Sequence, residues 1–113
     1  MIGYDRADRL DVRGSDYRIV PAPDPAALNA TLAAALGVRG EVRKRRELLM
    51  WRNVRIHLDD VARLGTFVEF EAVLSERDSD ESLARDHLAT LAAALGVRAD
   101  DRIAGSYSDL SGL

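Results

Sequence analysis

The chain has 113 residues, 47% of them apolar and 31% charged, with a formal net charge of −3 and a pI near 5.3. That size supports one domain with a modest core, and that composition excludes both a disordered chain and a polycation that coats nucleic acid. The absence of cysteine excludes disulfides, thiolate metal sites and a cysteine nucleophile, and MIGYDRADRLDVR at the start is too charged for a signal peptide or membrane anchor, so a cytoplasmic setting is expected.

In chain order, Ile2 to Ala7 reads as a strand with Ile2, Tyr4 and Arg6 on one side. A polar stretch around Gly14 leads to Ser15–Ala22, where Tyr17 and Ile19 alternate with Asp16 and Arg18, so the pair is expected to form a hairpin. Pro21, Pro23 and Pro25 stop the second strand. Asp24 is placed to cap a helix with Pro25 at its first position, and the Ala/Leu-rich run ends at Gly37, which predicts a helix over Pro25–Leu36.

Glu41–Trp51, EVRKRRELLMW, suits strand or helix on propensity. The short link after Gly40 and the alternation that follows favour a strand, turning at Arg52 and Asn53 into a second strand from Val54 to Leu58. DDVARLG then links to a third strand over Thr66–Leu74. A second helix is expected from Ser79 or Asp80 to Leu95, ending at Gly96, and the tail DRIAGSYSDLSGL carries only weak patterning. TLAAALGVR occurs at Thr31–Arg39 and again at Thr90–Arg98, either because both are Ala/Leu helix ends with the same cap or because two similar helices dock on one sheet. The order of elements lacks regular βαβ alternation, so a mainly antiparallel α+β fold is expected.

The central strands raise the functional question. Val54, Ile56 and Leu58 share one side, with Arg55, His57 and Asp59 on the other; Val68, Phe70, Ala72 and Leu74 likewise oppose Glu69 and Glu71. Such a charged face is either solvated or a site. Glu69 and Glu71 are spaced to hold a hard cation such as Mg²⁺ or Mn²⁺; Asp59 would add a third carboxylate, with His57 as a proton carrier or orienting group. In the run Arg43-Lys44-Arg45-Arg46, strand geometry puts Lys44 and Arg46 on one side and Arg43 and Arg45 on the other. That split suits a phosphate clamp, to which Arg55 and Arg6 add, better than a nucleic-acid patch.

Taken together, several segments resemble the CYTH domain family, which includes class IV adenylyl cyclases and thiamine triphosphatases, also called triphosphate tunnel metalloenzymes. They are IGYDRAD at Ile2–Asp8, GSDY at Gly14–Tyr17, VRKRREL at Val42–Leu48, VRIHLDDVARLGTFVEFEAVL at Val54–Leu74 and GSYSDLSGL at Gly105–Leu113. The resemblance implies an antiparallel eight-stranded tunnel with a charged interior and helices outside, so that the apolar strand faces point outward. It implies Glu69 and Glu71 as metal ligands with Asp59 as their acidic partner, and Arg6, Lys44, Arg46 and Arg55 as phosphate contacts; Asp59 and, from its place beside them, His57 are the candidate catalytic groups. Mg²⁺ or Mn²⁺ is the implied cofactor, and a triphosphate, ATP foremost, the implied substrate.

The implied activity is that of a class IV adenylyl cyclase, with a triphosphatase and a non-catalytic triphosphate- or polyphosphate-binding module as alternatives. No nucleic-acid or membrane partner is expected. The family's N-terminal E-x-E-x-K signature is absent, and Glu69-Phe70-Glu71 is the one E-x-E in the sequence. Residues 1–113 thus resemble the C-terminal two-thirds of a CYTH domain. The expectation is a single incomplete barrel with two outer helices, completed in a homodimer if the chain functions as it stands.

Overall fold

The computed structural model describes residues 1–6 and 8–113, with Tyr4 described by its backbone alone. The elements run β1 (Ile2–Asp5), β2 (Asp16–Ile19), α1 (Pro25–Leu36), β3 (Lys44–Trp51), β4 (Val54–Val61), β5 (Gly65–Ala72) and α2 (Glu81–Ala94). A 3₁₀ turn at Ala99–Asp101 and a short helix α3 (Tyr107–Leu110) follow. Strands β1 and β2 pair antiparallel as a separate ribbon, and β3, β4 and β5 form an antiparallel meander. The fold is therefore α+β with antiparallel sheets and no closed barrel among the described residues, which fits an incomplete tunnel. Ala7, the expected end of the first strand, lies outside the described residues.

Local chemistry sets α1 and α2. The Asp24 carboxylate accepts from the Ala27 amide at 3.0 Å, and the Asp80 carboxylate accepts from Leu83 at the same distance, each satisfying a helix-end donor that otherwise lacks a partner. Gly37, at φ 75°, takes the left-handed conformation that ends α1 and donates to the Ala33 carbonyl at 2.9 Å.

The strand boundaries differ in detail from the expected ones. Strand β4 continues through Asp59 and Asp60 to Val61, because each keeps a cross-strand partner on both sides. Strand β3 starts only at Lys44, where pairing with Val61 begins; Glu41 and Arg43 before it form a local ion pair instead. The turn between β3 and β4 takes Arg52 into the left-handed region at φ 53°, with its guanidinium lying 4.9 Å from the centre of the Trp51 ring.

Register fixes the two faces of the meander. Trp51, Val54 and Ala72 form one cross-strand row, and Leu49, Ile56 and Phe70 the next on the same face. Helix α2 lies over this face, burying Val54, Ile56 and Leu91 against Trp51, Phe70, Ala72 and Leu88. Each such apolar side chain removed from water contributes about 1.5–3 kcal/mol. His87 of α2 meets the Trp51 ring edge-on at 5.5 Å, and its Nδ1 lies 2.9 Å from Asn53 Oδ1, which ties the helix to the β3–β4 turn.

Helix α1 behaves differently. None of its residues is buried, although Leu28, Leu32 and Leu36 line up one turn apart along it, and Leu32 and Leu36 stay exposed. On the sheet, Leu49, Leu58 and Val68 lie beyond the reach of α2 and stay well exposed. The radius of gyration, 16.0 Å, exceeds the roughly 13 Å of a compact chain of this size, in keeping with these uncovered surfaces.

Candidate functional site

The face of the meander opposite α2 collects the charged residues. Its cross-strand rows are Lys44–Val61–Gly65, Arg46–Asp59–Phe67, Leu48–His57–Glu69 and Met50–Arg55–Glu71. Lys44 and Arg46 therefore share a face with Asp59, His57, Glu69 and Glu71, whereas Arg45 pairs with Asp60 on the other side. Arg6, just past β1, reaches the same face, its Nη1 3.9 Å from Glu69 Oε1. Every residue expected at the site on sequence grounds is thus brought to one surface.

Asp59 is the anchor of one half. It is only 2% exposed, yet its carboxylate is fully partnered: Arg46 Nε donates to Oδ1 at 2.6 Å, and Arg46 Nη2 and the Tyr107 hydroxyl donate to Oδ2 at 2.6 and 2.8 Å. Lys44 Nζ stands 3.6 Å from Oδ2. A carboxylate so far from water is tolerated only because paired cations and donors replace its hydration. The Arg46 hydrogen bonds, aided by Tyr107 and Lys44, outweigh desolvation and hold the Asp59 carboxyl far below the usual carboxylate range. Burial and the bond to Asp59 push the Tyr107 phenol well above its ordinary value, so it stays a donor at any physiological pH.

His57 organises the other half. It is 8% exposed and sits between the two glutamates, Nδ1 3.4 Å from Glu69 Oε2 and Nε2 3.6 Å from Glu71 Oε2. Arg46 Nη2 also approaches Glu69 Oε2 at 3.4 Å, and Arg55 Nη1 lies 3.9 Å from Glu71 Oε2. These contacts are long and partly exposed, so each is weak, about 1 kcal/mol or less, and is readily exchanged for a bound ion. By contrast, Arg46–Asp59 is a short two-point pair.

Among the described residues, no group of three His, Cys, Asp or Glu side chains is arranged to hold a metal ion. With Asp59 engaged by Arg46, Tyr107 and Lys44, the carboxylates open to a cation are Glu69 and Glu71. A donor set of two carboxylates suits Mg²⁺ or Mn²⁺ when phosphate oxygens and water complete the shell. An open depression of about 410 Å³ lies elsewhere: Arg45, Glu47, Leu58, Asp60 and Thr66 line it from the α2 side, and it meets the charged cluster only through Arg46 and Asp59.

Tyr107 and Phe67 were not anticipated at this site. The Tyr107 ring packs 5.0 Å from the Phe67 ring, and Lys44 Nζ lies 5.1 Å from its centre. The signal for α3 was local. Ser106 Oγ accepts from the Asp109 amide at 3.2 Å, and Asp109 Oδ2 accepts from the Ser106 amide at 2.9 Å, a reciprocal cap written in the tail as S-x-x-D.

Comparison with known proteins points the same way. The model of the CYTH domain matches residues 10–107. Among solved structures, the chain is similar to the PH1819 protein from Pyrococcus horikoshii OT3, with 25% sequence identity and a TM-score of 0.68. The likeness covers 97% of this chain and 63% of that one, so the chain spans less than two-thirds of the length of this neighbour. No curated protein matches the chain.

Proposed function

The chain belongs to the CYTH domain family, whose members are triphosphate-binding tunnel proteins, and on that premise we propose that its charged face binds a nucleoside triphosphate or another triphosphate and supports metal-dependent phosphoryl transfer. The observation that carries this reading is the convergence of Lys44, Arg46, Arg55 and Arg6 with Glu69 and Glu71 on one face of the sheet. Of the activities in the family, that of a class IV adenylyl cyclase, ATP to cyclic AMP and pyrophosphate, is the one proposed.

In this reading Lys44, Arg55 and Arg6 grip the phosphate chain by exchanging their long carboxylate contacts for phosphate oxygens, while Arg46 keeps its pair with Asp59 and adds Nη1. Glu69 and Glu71 hold the divalent cation, with Asp59 as an acidic partner through its neighbours. When bound, that cation supplies neutralisation of the charge on the phosphates and the leaving group. The ribose 3′-oxygen bonds to the α-phosphorus, the bond from that phosphorus to the β-phosphate oxygen breaks, and pyrophosphate departs. His57 is the group beside the glutamates that accepts the hydroxyl proton. In a triphosphatase the same cations would hold the chain while water attacks the terminal phosphorus.

A second reading, a binding module without turnover, rests on the missing E-x-E-x-K signature, which leaves Glu69-Phe70-Glu71 as the one E-x-E of the sequence. A second copy that completes the tunnel would reconcile the two. Exposed Leu49, Leu58 and Val68 on the sheet and Leu32 and Leu36 on α1 are the apolar surface such a homodimer would cover.

Product analysis tests the proposal. The purified chain is incubated with ATP and, separately, with tripolyphosphate, with Mg²⁺ or Mn²⁺ and in a metal-free control. Metal-dependent cyclic AMP and pyrophosphate are expected, and orthophosphate would instead identify a triphosphatase. A folded chain that binds tripolyphosphate without product would establish the module.

A further inference from the structure

Arg46 is the cation held most tightly at the proposed phosphate site, and the group holding it is itself held from the C-terminal segment. The two-point pair engages Nε and Nη2 of Arg46 with Asp59, while Nη1 has no protein partner among the described residues. The planar guanidinium is thereby fixed with one edge turned away from Asp59. The Asp59 carboxylate takes its third hydrogen bond, at Oδ2, from the Tyr107 hydroxyl at 2.8 Å, across 48 residues of chain. The Tyr107 ring in turn rests against Phe67 and beneath Lys44.

We infer that Tyr107 is a positioning residue for the phosphate-binding cations: its hydroxyl fixes Asp59, Asp59 fixes Arg46 with Nη1 presented for a ligand oxygen, and its ring fixes Lys44. The positioning itself is a property of the free chain, whereas its use in binding rests on the triphosphate reading above. A buried carboxylate that loses one of its donors shifts to satisfy itself with the groups that remain. Without the phenol, Asp59 is free to turn, its two-point hold on Arg46 loosens and Nη1 is no longer presented to an incoming phosphate. Tyr107→Phe removes only the hydroxyl and keeps the ring between Phe67 and Lys44, so it separates positioning from packing.

The test uses the full chain with ¹⁵N-labelled arginine, following side-chain Nε–H signals by NMR, with Arg46→Lys to identify the Arg46 signal and tripolyphosphate as the ligand. In the wild type the Arg46 Nε–H should exchange with water far more slowly than that of exposed Arg45. Tyr107→Phe should shift the Arg46 signal and speed its exchange, and weaken tripolyphosphate binding about fivefold to tenfold, the scale of one ordinary hydrogen bond acting through Asp59. An Arg46 signal unchanged in Tyr107→Phe, with affinity within twofold, overturns the inference while leaving the triphosphate reading intact. A shifted signal in a chain whose wild type does not bind tripolyphosphate upholds the positioning and overturns the reading. Should Tyr107→Phe fail to fold, the wild type alone decides: an Arg46 Nε–H that exchanges as fast as that of Arg45 overturns the inference.

Discussion

On one face of the β3–β5 meander Val54 and Ile56 are sealed beneath α2; on the other, Asp59 and His57 are just as far from water but lie among charges. Both faces arise from the same period-two alternation, and depth does not tell them apart. What differs is the way burial is compensated. The first face loses only apolar surface to the helix, so its stability scales with area. The second holds a carboxylate whose burial is tolerated because Arg46, Tyr107 and Lys44 surround it, so its stability depends on partners being present together.

The comparison is broken most severely by placing a charge on the wrong face. Val54→Asp should cost more than about 4 kcal/mol, since the carboxylate would have no partner beneath α2, and circular dichroism should show the chain largely unfolded. Ile56→Ala should cost about 2–4 kcal/mol in urea unfolding, through lost transfer energy and the cavity left against Phe70 and Leu91.

On the charged face, Asp59→Asn should cost about 1–3 kcal/mol at neutral pH and change the acid limb of the stability profile. The Asp59 pKa is depressed in the folded chain, so its contribution is present above the ordinary carboxylate value and is lost as pH falls toward the native one. Denaturation midpoints of wild type and Asp59→Asn should therefore draw together on acidification below about pH 4. The smallest effect on stability is expected for Glu71→Gln, within about 0.5 kcal/mol, because its contacts with Arg55 and His57 are long and partly exposed. Its loss should instead appear as weaker Mg²⁺-dependent binding of tripolyphosphate.

How much of this was legible in the sequence follows from how far each signal reaches along the chain. Helix α1 was readable to the residue because Asp24, Pro25 and Gly37 set its ends by contacts within a turn. The two-sided alternation of β4 and β5 was equally local, whereas the choice of Lys44 and Arg46 over Arg43 and Arg45 came from the resemblance, because it depends on the register of β3 against β4. Tyr107 was not readable as part of the site, because its bond to Asp59 joins residues 48 apart and depends on where α3 comes to rest. The different fates of the two TLAAALGVR repeats were hidden for the same reason. In α2, Ala84, Leu88 and Leu91 fall on one side and rest on the sheet, whereas the leucine row of α1, Leu28, Leu32 and Leu36, is not buried.

The central claim, that the charged face and not the α2 face is the triphosphate site, is tested most directly by calorimetric titration of tripolyphosphate, with Mg²⁺, into wild type, Lys44→Ala and Arg45→Ala. These neighbours in sequence have the same sign of charge and point to opposite faces. The account predicts that Lys44→Ala weakens binding about tenfold or more, the loss of a charge-assisted contact, while Arg45→Ala stays within about twofold of wild type. Equal losses in the two variants, or a loss confined to Arg45→Ala, would contradict it.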